Sequence, residues 1–219
     1  QATGRYREAL VLRKRLAKDD PGIHTLGALA SLLAETDQSA AADNRYAAAL
    51  DADMSVSPLP CGQLLFEWGV SAMRRGEVAR AEEILAELDR ILPAHVPGRG
   101  HRAEVALARR QLDVALALIA PLVDASDDPE YRSTYAEILA ARGEREMAAC
   151  EAERAAAAYE RLLAQRPEAY ADHAAAFFMG IGHRPQRAVE LAEANWKLRD
   201  TPRSRRLLAK ALRNAERAA

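Results

Sequence analysis

The chain has 219 residues, with 31 Lys and Arg against 32 Asp and Glu, and is 49% hydrophobic but only 5% aromatic. Its 49 alanines exceed a fifth of the sequence; alanine is the strongest helix former, and the β-branched and aromatic residues that sheets favour are sparse, which excludes an all-β fold. No apolar run reaches the roughly 18–20 residues of a membrane-spanning helix, so no membrane insertion is expected.

Along the chain, the segment Gly4–Pro21 returns as Gly76–Pro93. In both, Ala follows the glycine by five residues and Pro follows that Ala by twelve. A shifted copy, Asp37–Met54, keeps Ala42, Tyr46 and Ala49 in phase. Ala9, Ala42 and Ala81 are spaced by 33 and 39 residues, and the surplus falls in the Pro-containing stretch Ser55–Gly62, read as a loop. Leu26, Leu29, Ala30 and Leu33 form an apolar stripe at i, i+3, i+4 and i+7, and Leu65, Trp68, Gly69 and Ala72 repeat it. Each unit thus reads as two helices joined by a short turn and closed by a proline, which cannot continue a helix.

Leu65, Trp68, Gly69, Ala72, Gly76, Ala81, Leu85, Leu88 and Pro93 fall without a gap on the pattern of the tetratricopeptide repeat, and the chain resembles that family over about residues 4–200. The resemblance implies an all-α fold: a right-handed α-α superhelix, or solenoid, of antiparallel helix pairs, taken as one domain over residues 1–219. The small residues Gly69 and Ala81 are expected to let paired helices meet closely. Because Gly4 falls in phase with the turns, the first helix of its unit is expected to precede Gln1, making this a piece of a longer array.

The later units are more degenerate. Arg102–Val123 keeps Ala103, Ala106, Ala115, Ile119 and Leu122, with Arg110 where a turn glycine is usual. Tyr131–Gly143 opens the next unit through Tyr135, Ala136 and Leu139. After it, Ala148 fits one frame while Ala155, Tyr159, Leu162 and Pro167 fit a frame seven residues later. Seven residues are about two helical turns, which predicts one unbroken helix over roughly Glu144–Ala164. A further pair follows at Tyr170–Gly180 and Gln186–Leu198, with Gly182, His183 and Pro185 at its turn. Residues 201–219 read as a basic capping helix beginning at Pro202. This end and residues 1–18 each carry +5, read either as solvated helix faces or as steering for an acidic partner.

Signatures of chemistry are missing. The sequence contains no G-x-x-x-x-G-K-[ST], H-E-x-x-H or G-x-S-x-G motif, so no catalytic residue and no cofactor is expected. His95 and His101 border a Pro/Gly stretch, Pro93–Gly100, read as a loop, but their spacing matches no common zinc pattern and no metal ligand is assigned. Asp127 and Asp128 before Pro129 read as a helix start. The basic ends lack interleaved aromatics apart from Tyr6, so nucleic acid is not an expected partner. Cys61 and Cys150 form no C-x-x-C pair, leaving the redox state and the compartment open.

The resemblance instead implies a concave groove lined by the first helices. Carried over residue by residue, it comprises His24, Gly27, Ser31, Ala34 and Glu35, then Gln63, Phe66, Val70, Met73 and Arg74. The weaker later frames add Glu104, Leu107, Glu130 and Glu137, and then Tyr170, His173 and Phe177. Phe66, Val70 and Met73 share a helix face at i, i+4 and i+7, an apolar stripe suited to peptide recognition. The alternative is that Phe66 and Phe177 are core residues. The implied function is a non-enzymatic protein-interaction module or scaffold that takes a peptide or helix. A self-assembling homo-oligomer is the second reading, and a small-molecule or metal sensor using Tyr170, His173, His183 and Trp196 is the third.

Overall fold

Apolar residues at helical spacing, broken by short polar turns, dictate a chain of helices. A computed structural model describes residues 5–218 and holds twelve of them, with no strand among the described residues. Gly4, on which the phase of the first unit rests, lies outside the described residues. The helices gather into two compact units, Gln1–Arg110 and Gln111–Ala219. Unit one carries α1 (Tyr6–Asp19), α2 (Ile23–Glu35), α3 (Ser39–Asp51), α4 (Leu59–Arg74), α5 (Val78–Ile91) and α6 (Val96–Ala108). Unit two carries α7 (Leu112–Val123), α8 (Pro129–Arg142), α9 (Arg145–Gln165), α10 (Pro167–Met179), α11 (Pro185–Leu198) and α12 (Pro202–Ala218).

In unit one, α2 packs against α3 and α4 against α5 as hairpin pairs, and α2 also meets α4. The stripe Leu26, Leu29, Ala30 and Leu33 is buried against Ala42, Tyr46 and Ala49 of α3 and Leu64 of α4. A second core joins Leu65 and Ala72 of α4 to Ala81, Ile84, Leu85 and Leu88 of α5 and Val105 of α6. Close approach is enforced where glycine was placed: a Cβ on Gly69 would stand 2.7 Å from Leu85 Cδ2. The same holds for Gly27, whose added Cβ would meet Leu64 Cδ1 at 2.5 Å. Gly27 therefore marks the α2–α4 contact instead of lining an open groove.

The turns show why one residue in each was distinctive. Asp37, Gly76, Arg110, Gly143 and His183 all have positive φ. After three of them the same long hydrogen bond closes the helix end: Gln38 N–H donates to Leu33 O, Glu77 to Ala72 O and Glu144 to Leu139 O. Glycine takes that conformation freely, whereas Asp37, Arg110 and His183 carry a Cβ that opposes it.

Two stretches read as loops are partly helical. α4 begins at Leu59, inside Ser55–Gly62, because Pro60 stands in its first turn, where the missing N–H has no intrahelical partner to lose. α6 begins at Val96 and runs through Pro97, Gly98 and Gly100. Gly98 serves packing, since a Cβ there would lie 2.6 Å from Leu88 Cδ2. His95 caps this helix, its Nδ1 accepting the Gly98 N–H at 2.9 Å.

In unit two, α9 runs unbroken for 21 residues, matching the frame shift in the sequence. Asp128 caps α8, its Oδ1 accepting the Glu130 N–H at 3.0 Å. Thr201 and Ser204 cap α12 reciprocally, each side chain accepting the other's backbone N–H. The core joins Ala155, Ala156, Tyr159 and Leu163 of α9 with Ala174, Ala175, Phe177 and Phe178 of α10, Ala188, Leu191 and Ala192 of α11, and Ala211 of α12.

Candidate functional site

The face of α2 turned toward α4 is small and polar, and this leaves room. A cleft of about 370 Å³ opens in unit one, lined by Ala28, Ser31, Ala34 and Glu35 of α2 and Phe66, Glu67, Val70, Ser71 and Arg74 of α4. Arg13 of α1 and the ring of Tyr46 on α3 complete its wall. Ser31 ties the parts together: its hydroxyl donates to the Glu67 carboxylate and shares a 3.2 Å hydrogen bond with the Tyr46 hydroxyl. Burial pushes the Tyr46 pKa up to about 12, so the phenol stays neutral. Across the mouth, Arg74 pairs with Glu35 at 3.2 Å, and Gln63 Nε2 donates to Glu67 at 3.0 Å.

Behind this cleft the wall is fixed by a polar brace. Trp68 stacks on Tyr46 with centroids 5.7 Å apart, and its Nε1 donates to Asp43 at 2.7 Å. Arg75 binds Asp43 at 3.1 Å, Glu77 at 2.7 Å and the Ser71 hydroxyl at 2.8 Å, while the Arg80 guanidinium covers the indole at 5.3 Å. The charges are therefore satisfied by one another, and α4 is held in register against α3.

Phe66 is half-buried. Beyond it, the rings of His95 and His101 approach its ring at 5.0 and 5.5 Å. Burial, aided by the neighbouring His101, lowers the His95 pKa. His101 Nδ1 lies 2.9 Å from Glu104, which accounts for that residue's place. His24 is exposed in the first turn of α2, apart from the cleft. Met73 is half-buried and turned to the α4–α5 core, because its position three residues past Val70 carries it toward α5. Of the residues carried over into unit one, Ser31, Ala34, Glu35, Phe66, Val70 and Arg74 meet at the cleft.

Unit two holds the rest separately. Phe177 is a core residue, only 4% exposed, with its ring 5.0 Å from those of Tyr159 and Phe178. It is not a groove residue, because Gly182 has no Cβ and the ring fills that space. Tyr170 is half-buried against the same core. Glu137 is half-buried on α8, its carboxylate toward Gly180. His173 is held by Glu130, with Nδ1 at 2.8 Å, and Asp172 is paired with Arg203 at 3.1 Å. The hydrogen bond that protonated His173 donates to the Glu130 carboxylate raises the His173 pKa to about 9. His183 occupies a left-handed turn, and the Trp196 indole donates to Asp200. Among the described residues no group of three or more metal-ligating side chains converges, and Cys61 and Cys150 are free thiols.

No protein-family model and no curated protein matches the chain. Solved structures do. A tetratricopeptide repeat protein from Parabacteroides merdae superposes with a TM-score of 0.62 at 17% identity, over 95% of this chain and 78% of its own. A thermophilic TPR protein from Thermus thermophilus gives 0.55 at 23% identity, over 87% and 91%. BtubC from P. vanneervenii gives 0.63 at 15%, over 99% and 91%. The fold is that of tetratricopeptide-repeat proteins. Within this repeat fold, α2 and α4 are first helices of successive pairs, and residues of both line the cleft. Sequence reasoning missed Arg13, Ala28, Tyr46, Glu67 and Ser71 as lining residues. Glu67 alone had a signal, four residues after Gln63 on the same face.

Proposed function

We propose that the protein is an interaction module that grips an extended peptide segment in the α2–α4 cleft of unit one. The observation that carries this reading is the composition of the cleft. Phe66 and Val70 offer half-buried apolar surface, and Ser31, Glu35, Glu67 and Arg74 surround it with fixed donors and acceptors. An apolar side chain would rest on Phe66 and Val70, while Glu67 and Ser31 would bind backbone amides and Arg74 a carbonyl or carboxylate. The repeat fold, shared with proteins of that class, supports a scaffold role without catalysis.

Selection from a random peptide display library tests this. Peptides enriched on the wild-type protein should lose about tenfold or more in affinity for Val70→Glu and for Arg74→Glu, with thermal melting unchanged. Equal binding to both folded variants removes the cleft from the account. Self-association through α1 is a second reading, favoured by Leu12 and Leu16, which are 57% and 43% exposed on one face. Light scattering that returns a monomer across a concentration series removes it.

A further inference from the structure

Helix α2 borders a second cleft on its other side. At 100° per residue, Ala28, Ser31, Ala34 and Glu35 cluster on one side, and Leu29 and Leu33 point to the opposite side. There a separate cleft of about 540 Å³ lies between α1, α2 and α3, lined by Lys14, Ala17 and Lys18 of α1, Leu29 and Leu33 of α2, Gln38, and Ala41 and Arg45 of α3. Its floor is aliphatic, and its only charged lining groups are the three cations Lys14, Lys18 and Arg45. All three are exposed. None of them has a carboxylate within ion-pair distance among the described residues.

Elsewhere in unit one, Arg5, Arg15, Arg74, Arg75, Arg90 and Arg102 each have a carboxylate partner; what sets Lys14, Lys18 and Arg45 apart is that all three line one cleft. Three like charges around one concavity repel one another, and an anionic occupant would relieve that repulsion. Beside the cations, Val11 is 72% exposed and shares their helix face at i, i+3 and i+7 with Lys14 and Lys18. The rim therefore offers apolar surface next to positive charge. No aromatic ring lines the cleft, so bases of a nucleic acid would have nothing to stack on.

We propose that this cleft is a second binding site, distinct from the α2–α4 cleft, and that it takes an acidic peptide segment carrying an aliphatic residue among its carboxylates. The carboxylates lie against Lys14, Lys18 and Arg45, and the aliphatic side chain covers Val11. Gln38 at the end of the cleft supplies a neutral amide for the peptide backbone.

Fluorescence anisotropy with a labelled peptide of Asp and Glu around a single Leu tests the assignment on the full chain. Binding should weaken about tenfold in the Lys18→Glu/Arg45→Glu double variant and fall steeply with added salt. Replacing the Leu of the probe by Gly should weaken it further, and Val11→Asn should abolish that sensitivity. Lys210→Glu with Arg213→Glu, the same charge change placed on α12, should leave binding intact, as should Val70→Glu in the first cleft. Equal loss in the α12 control would reduce the effect to net charge and overturn the site. Tighter binding of citrate, of a single-stranded oligonucleotide or of anionic vesicles than of the peptide would overturn the choice of occupant.

Discussion

Phe66 on α4 and Phe177 on α10 are both aromatic residues on the first helix of a pair, and they meet opposite fates. Phe177 lies in the alanine-rich core of unit two, against the rings of Tyr159 and Phe178 and over Gly182, and is only 4% exposed. Phe66 meets the rings of His95 and His101, two polar side chains that cannot form a dry lid, and it stays half-buried at the edge of a cleft. The volume and polarity of the neighbours decide whether an aromatic becomes core or contact surface.

The largest test of this contrast is Phe177→Ala, which should destabilise unit two by about 3–5 kcal/mol through the cavity it leaves. Denaturant unfolding measures it. Gly182→Ala attacks the same ring from the other side, because its Cβ would stand 2.7 Å from Phe177 Cε1; the overpacking should cost about 1–3 kcal/mol. Phe66→Ala should cost only about 1 kcal/mol, as only part of its surface is withdrawn from water. A cost for Phe66→Ala equal to that for Phe177→Ala would end the distinction.

The turns provide a smaller test of opposite sign. Arg110 holds a φ of 62° that a side chain opposes, so Arg110→Gly should stabilise the protein by up to about 1 kcal/mol. Gly143→Ala, at φ 87°, should destabilise it by a similar amount. Thermal melts of the two variants should therefore move in opposite directions.

Two histidines sharpen the comparison through pH. Glu130 raises His173 from the ordinary 6.5 to about 9, so the protonated imidazole stabilises unit two fully below pH 6.5. That contribution is lost as the pH rises through about 9. His95 runs the other way: burial lowers its pKa, and its unprotonated Nδ1 caps α6. Its contribution is present above the ordinary imidazole value and is lost as the pH falls through its lowered one. Urea midpoints followed across pH should flatten on the alkaline side in Glu130→Gln and on the acid side in His95→Asn. Because the His173 side chain is 37% exposed, solvent screening should keep its effect modest.

What the sequence made legible was periodic. The stripe at Leu26, Leu29, Ala30 and Leu33, the paired helices around Gly76, and one long helix, expected over roughly Glu144–Ala164 and found as Arg145–Gln165, all follow from spacing along one chain. Residues whose role depends on a distant neighbour were harder to place. Gly98 and Gly100 read as loop formers because glycine weakens a helix, yet both lie inside α6, Gly98 where a Cβ would collide with Leu88. Phe177 and Met73 were assigned to a groove because their spacing matched, while the space they fill was set by Gly182 and by α5. The α2–α4 cleft itself was half legible: Ser31, Glu35, Phe66, Val70 and Arg74 were named, but Arg13 and Tyr46 reach it from other helices.

Helix α9 holds 21 residues where its partner α8 holds 14. Seven residues fall only about 20° short of two full turns, so Ala148, Ala152, Ala155, Ala156, Tyr159 and Leu163 continue on one buried face along its whole length. The helix is like a screw lengthened by whole pitches: it gains about 10 Å of axis without turning any side chain from its seat. Removing five residues at the same place would swing everything beyond by about 140° and turn the buried alanines outward. Length in this segment is thus adjustable only in steps, and removing residues 149–155 should keep the remaining apolar positions of α9 on one face while pulling apart the Glu130–His173 pair that joins α8 to α10.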